Sequence, residues 1–200
     1  MRCRVEPLTR VEGIAYVRFT APDLQEMEPS LNEFGLITRE VDGCLYGIGR
    51  DGASFARVTE AGEPAFRALG LRAESIDEVR RLAAREGVEV KPLSAPGGGV
   101  IARLIDPDGV TVEVVAGQLR GERTVLPREP VRNSAALRAR LCEPVRVDAD
   151  RSTVLRLGHC VLNVADSRRS EVWYKKQFHF ITPDEIEVAP GFATMPGTTS

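Results

Sequence analysis

The chain lacks any pair of cysteines spaced for a zinc or redox motif: Cys3, Cys44, Cys142 and Cys160 lie far apart and form no CxxC. It also lacks a leader-like segment and any long apolar run. Together these absences predict reduced thiols in a cytoplasmic protein with nothing across a membrane. An excess of one charge is missing too. The 27 Lys and Arg against 29 Asp and Glu leave a net charge of -2 with the signs interspersed, which gives no nucleic-acid footprint. Histidine is scarce, with two in 200 residues, so a histidine in a strand is informative. What remains, 42% apolar and 28% charged, is the composition of an ordinary globular chain with room for one or two domains.

One of those histidines sits in the middle of 154–166, VLRLGHCVLNVAD. Strand alternation sends Leu155, Leu157, His159, Val161 and Asn163 to one face, and Arg156, Gly158, Cys160, Leu162 and Val164 to the other. The second face is mostly apolar, as a helix-covered side should be. The first mixes a histidine and an amide with aliphatics, as the lining of a site does. Asp166 reads as the N-cap of a following helix.

The same pattern occurs 143 residues earlier, at 14–23, IAYVRFTAPD, where Tyr16 precedes Asp23 by the interval that separates His159 from Asp166. The two helices end on similar words, EFGL at 33–36 and QFHF at 177–180. This is an internal repeat, and it decides the architecture.

In chain order, 14–21 is a strand with Ala15, Val17, Phe19 and Ala21 toward a helix and Ile14, Tyr16, Arg18 and Thr20 away from it. A helix over 22–34 carries Leu24, Met27, Leu31 and Phe34 on one stripe and ends at Gly35. Strands are predicted at 37–41, 44–49 and 54–59, with Asp42-Gly43 and Asp51-Gly52 as hairpin turns. The order then repeats: a strand at 65–73, a helix capped by Ser75 with Ile76, Val79, Leu82 and Ala83 on its stripe, and strands at 88–91, 100–105 and 111–115. Residues 14–59 and 65–117 are thus two strand–helix–three-strand modules.

Residues 119–153 break the pattern. Three prolines, and eight arginines against five acids, make a solvated linker with one short helix at 134–141. A third module opens at 154, with a helix over 167–178 that turns Trp173, Tyr174 and Phe178 inward. With no further strands to close against, its strand edge and the exposed parts of Trp173 and Phe178 invite association. The expected division is a first domain over 1–118, the linker over 119–153 and an incomplete second domain over 154–200.

Paired modules of this order resemble the vicinal-oxygen-chelate superfamily of glyoxalase I, bleomycin- and fosfomycin-resistance proteins and extradiol catechol dioxygenases. The words that carry the resemblance are GIAYVRFTAPDL at 13–24, LIDPDGVTVEVVAG at 104–117, and LGHCVLNVADS with VWYKKQFHFITPDEI between 157 and 186. They look most like two-domain extradiol dioxygenases of the dihydroxybiphenyl type. The fold so implied is α+β, paired βαβββ modules in a curved mixed sheet followed by an incomplete third module.

The resemblance also implies iron(II) held by two histidines and a carboxylate, leaving positions open for a catechol-type diol and O2. In the family all three ligands come from the second domain. His159 falls at the first ligand position. The other two would fall near 211 and 256, past Ser200, so the resemblance implies that this chain does not retain iron by itself. In the first domain the equivalent positions are Tyr16, Ala68 and Glu113, of which the first two do not suit iron(II), and Glu113 reads as a polar relic. His179, at a helix exit, reads as surface or structural.

Two functions follow. One is iron- and O2-dependent ring cleavage of an aromatic diol, inactive in these 200 residues. The other is a metal-free small-molecule-binding module of the glyoxalase and bleomycin-resistance kind, with Tyr16, Arg18 and Tyr46 lining the pocket and Glu113 at its rim. A homo-oligomer is expected, and no nucleic-acid or membrane partner.

Overall fold

The computed structural model describes residues 9–124, 152–178 and 180. The described elements run β1 (Val11–Ala21), α1 (Leu24–Phe34), β2 (Ile37–Val41), β3 (Cys44–Ile48), β4 (Arg57–Ala61), β5 (Ala65–Ala73), α2 (Ile76–Glu86), β6 (Lys91–Pro92), β7 (Val100–Ile105), β8 (Thr111–Ala116) and α3 (Ser167–Gln177). The predicted helix at 134–141, His179 and the tail from 181 lie outside the described residues.

Local chemistry sets the module boundaries. Asp23 caps α1 by accepting from the amides of Gln25 (2.7 Å) and Glu26 (3.1 Å). Ser75 caps α2 by accepting from the amide of Glu78. Both helices exit through a left-handed glycine, Gly35 and Gly87, where a Cβ would be strained. Asp42 and Gly43 both take positive φ, 51° and 74°, and join β2 to β3 as the two-residue hairpin read from the sequence.

The eight strands among the described residues form one sheet in the order β2-β3-β4-β1-β5-β8-β7-β6. Within each module the first and last strands are parallel, β1 with β4 and β5 with β8, while β1 and β5 run antiparallel at the centre. The two βαβββ modules therefore join edge to edge as one mixed α+β sheet.

One face carries the helices. Val79 and Leu82 of α2 and Tyr174 of α3 pack with Leu69, Leu71, Val112 and Val114, and Leu31 of α1 packs with Leu36 and Leu45. The opposite, inner face packs Tyr16, Tyr46, Val58, Ile101 and Val115 under Phe55, Leu93 and Ala95 from two loops.

Several sequence expectations are corrected. A register shift between Ile14 and Tyr16 puts Ala15 and Tyr16 together in the inner cluster, while Ile14 joins Val17 on the helix side. The bulge adds a residue, so strict alternation fails there. Phe34, placed on the α1 stripe, is 70% exposed, because the stripe runs out at Leu31 in the last turn. β4 starts at Arg57 and not at 54, since the connection after β3 is a loop with Gly52 at φ 83° rather than a tight hairpin. β6 is only two residues long.

The largest correction concerns 154–164. This stretch pairs with no strand among the described residues. Its side chains still alternate: Cys160, Leu162 and Val164 are half-buried and His159, Val161 and Asn163 are exposed. Alternation records which side meets the core, whereas a strand also needs a neighbouring ladder for its amides. The following helix is as expected, capped by Asp166 through the Arg169 amide. Phe178, expected to be partly exposed, is 0% exposed against the β5–β8–α2 core.

Candidate functional site

Tyr16, Arg18, Tyr46 and Glu113 all lie on the inner face, where the structure brings them into one cluster. Tyr16 pairs with Gly70 across β1–β5, and Gly70 pairs with Glu113 across β5–β8. Glycine is required between them: a Cβ at Gly70 would stand 2.8 Å from Cε2 and Cζ of the Tyr16 ring. The ring therefore crosses the bare backbone of β5, and its hydroxyl donates to Oε2 of Glu113 at 2.7 Å.

Arginines close the rest of the carboxylate. Arg18 donates to the same oxygen through Nε (3.1 Å) and Nη2 (3.0 Å), and Arg103 donates from Nε to Oε1 at 2.9 Å. Arg18 also pairs with Glu60 through Nη1. Glu113 is 2% exposed and accepts four hydrogen bonds, about the full capacity of a carboxylate.

Burial alone would raise the pKa of Glu113. The charge of Arg18 and the hydrogen bonds from Tyr16, Arg103 and Arg18 outweigh it, and hold the carboxyl below its ordinary value. Burial, and then the charge of Glu113, push the Tyr16 hydroxyl well above the ordinary phenol range. For Arg18 burial works against the charged form, and the Glu113 charge overrides it, so its pKa is raised.

Apolar groups complete the site. Phe55 lies 4.8 Å from the Tyr16 ring and 5.0 Å from the Tyr46 ring, centroid to centroid. Tyr46 is 6% exposed, and burial, followed by the neighbouring Cys44, pushes its hydroxyl up to about 12. Tyr16 is 0% exposed. The cluster is a satisfied, neutralised network under an apolar cover, and its donors and acceptors face one another.

His159 does not join this cluster. It stands exposed in a segment fixed at both ends. At one end Val154 donates its amide to the Gly35 carbonyl at 3.0 Å, and the Leu155 carbonyl accepts from the Arg50 amide at 2.8 Å. At the other, Ala165 and Ser170 donate to Asp108 at 3.1 and 2.8 Å, and Tyr174 donates to Asp106 at 3.0 Å. Both aspartates belong to the Asp106-Pro107-Asp108-Gly109 turn between β7 and β8. Asp106 also closes that turn on itself, accepting from the amides of Asp108 and Val110 with its other oxygen.

Sequence reasoning missed Arg103, Glu60 and Gly70. The signal for Arg103 was present, since it and Glu113 flank the turn symmetrically and face each other in the β7–β8 register. Among the described residues no group of three His, Cys, Asp or Glu could hold a metal ion. Among them, too, no helix is long and apolar enough to cross a membrane.

No family profile and no curated protein matches the sequence. Solved structures do match. A Mn(II)-bound glyoxalase from Novosphingobium aromaticivorans is 25% identical with a TM-score of 0.53, over 60% of this chain and 44% of that one. Homoprotocatechuate 2,3-dioxygenase from Brevibacterium fuscum, solved anaerobically with 3,4-dihydroxyphenylacetate, is 21% identical with a TM-score of 0.52, over 60% and 40%. The corresponding dioxygenase from Arthrobacter globiformis is 23% identical with a TM-score of 0.51, over 58% and 39%. The chain thus spans less than half the length of these proteins. What the likeness shows is the fold they share.

Proposed function

Taking as premise that this chain has the vicinal-oxygen-chelate fold of glyoxalases and extradiol dioxygenases, we propose that residues 9–124 are the metal-free scaffold half of an extradiol ring-cleaving dioxygenase. In this reading His159 opens the half that carries the chemistry, iron(II)- and O2-dependent cleavage of a catechol-type diol. One observation supports it above the others: Glu113, the ligand carboxylate that the resemblance singled out in this half, is saturated by Tyr16, Arg18 and Arg103. A glyoxalase-type centre would need ligands from both modules, and Tyr16 and Ala68 do not supply them.

Iron(II) in this chemistry takes three protein ligands on one face. The described residues do not fit that requirement. His159 is a single exposed imidazole, so no step of ring cleavage is assigned to residues of this chain. The two further ligands that the resemblance implies would fall near 211 and 256, and the iron chemistry belongs to a polypeptide that supplies them.

The alternative reading, metal-free ligand binding in the inner face, requires Tyr16, Arg18 and Tyr46 to meet a ligand. At 0% and 6% exposure the two tyrosines meet Phe55 and the sheet instead, which favours the scaffold reading. The test is to load the chain with iron(II) anaerobically, measure bound iron, and add 3,4-dihydroxyphenylacetate in air. The 200-residue chain should hold far less than one iron and form no ring-cleavage product. A longer chain with the two further ligands should do both, and lose both on His159→Ala. Stoichiometric iron with turnover in the short chain would overturn the reading.

A further inference from the structure

We propose that a second place in the fold, remote from the Glu113 network in function, is a binding cleft for a small, multiply charged oxyanion. It has a volume of about 640 Å³ and lies where the loop after β3, the stretch after β8 and the segment from 152 meet. That volume suits a ligand of metabolite size. Five arginines line it, Arg50, Arg72, Arg120, Arg123 and Arg156, against one carboxylate, Asp51. A narrower cavity of about 210 Å³ continues from it and shares Asp51, Arg72 and Arg156.

The ion pairs do not consume this charge. Arg120 reaches Asp51 at 3.5 Å, and Arg72 reaches Glu12 at 3.2 Å without hydrogen-bond geometry for its Nε. Among the described residues the guanidinium groups of Arg50, Arg123 and Arg156 have no carboxylate and no hydrogen-bond acceptor. The Nε of Arg50 is buried and unpaired. A buried donor without a partner is costly, and three unneutralised guanidiniums on one cleft repel one another. Both costs vanish when an oxyanion enters. A planar fork of N–H donors matches phosphate and carboxylate oxygens in pairs.

The walls are built rather than incidental. The Arg50 amide donates to the Leu155 carbonyl at 2.8 Å, and its own carbonyl accepts from Thr124 at 2.9 Å. Gly121 donates to the Gly52 carbonyl at 2.9 Å, and Asp51 donates to Leu155 at 3.0 Å. Gly49 lets Leu155 approach, since a Cβ there would stand 2.2 Å from its carbonyl oxygen. Three segments distant in sequence are stitched together at the base of Arg50. Arg120 and Arg123 come from the arginine-rich stretch whose composition predicts a solvated linker.

The experiment is calorimetric titration of the full chain with pyrophosphate and, separately, with citrate, each at constant ionic strength set with sodium chloride. Saturable binding at one site with Kd below about 1 mM is expected for at least one of them. Pyrophosphate alone would point to a phosphate ester, citrate alone to a polycarboxylate, and both to recognition of charge density. The Arg50→Gln/Arg156→Gln double variant should bind at least tenfold more weakly, with an unliganded melting temperature no lower than that of the parent. If that variant fails to fold, Arg123→Gln alone should still weaken binding severalfold. No saturable heat with either anion, or equal affinity in parent and variants, would overturn the proposal.

Discussion

The hydroxyl of Tyr174 donates to Oδ2 of Asp106 at 3.0 Å, joining α3 to the β7–β8 turn across 68 positions of sequence. Both groups are buried, at 0% and 4% exposure. Burial, and then the Asp106 charge, raise the Tyr174 pKa. With Ser170 on Asp108, this bond makes a hairpin turn the docking point for α3.

Tyr174→Phe should therefore loosen α3. It leaves one buried aspartate oxygen unpaired, at a cost of about 1–3 kcal/mol. Urea unfolding should show that loss, and limited proteolysis should cut the 152–178 region faster than in the parent. Unchanged stability and cutting would mean that α3 is held by apolar packing alone.

Gly70→Ala should be among the most damaging single-methyl additions in this chain. The new Cβ would stand 2.8 Å from the fully buried Tyr16 ring, which has no space to retreat. A loss of about 1–3 kcal/mol is expected. Adding Tyr16→Leu to the same chain should recover part of it. Additive losses in the double variant would show that the ring and the glycine do not interact.

Leu82→Ala should cost about 2–5 kcal/mol, the usual range for a buried leucine, since Leu82 is 0% exposed in the α2 stripe. Phe34→Ala, at 70% exposure, should stay within about 0.5 kcal/mol. Chemical denaturation compares the two directly.

The pH dependence has two arms. All three tyrosines of the chain, Tyr16, Tyr46 and Tyr174, have hydroxyls raised above the ordinary value of 10.0. The folded state then keeps protons that the unfolded chain releases, so stability falls as pH rises past 10.0. Absorbance at 295 nm should show almost no tyrosinate at pH 10 in the folded protein. At the acid end Glu113 and Asp108 are both lowered, the latter chiefly by the Ser170 hydroxyl and the Ala165 amide. Their contribution is present above the ordinary carboxylate range and is lost as pH falls below it. Tyr16 or Tyr46 titrating near its ordinary value would contradict the burial of the inner face.

The repeat was the most legible feature, because caps, glycine exits and the Asp42-Gly43 turn are written in local chemistry. What was hidden depends on distant partners. Ile14 and Ala15 exchange faces through a bulge that only the register with β5 reveals. The apolar alternation of 154–164 is real, but its amides have no neighbouring strand among the described residues, and periodicity carries no information on pairing. On the inner face Tyr16, Arg18 and Glu113 were visible as candidates. Their mutual saturation was not, since it depends on Gly70 being small and on Arg103 facing Glu113.

The central claim is that Glu113 is the counter-ion of a closed network and not a metal ligand. Manganese(II) titration and urea unfolding of the parent chain and of Glu113→Gln test it most directly. The account predicts no stoichiometric metal binding in either protein and a loss of about 1–3 kcal/mol in the variant, because the substitution removes the charge that Arg18 and Arg103 share and leaves Arg18 with Glu60 alone. One manganese per parent chain, abolished in Glu113→Gln with little change in stability, would contradict it.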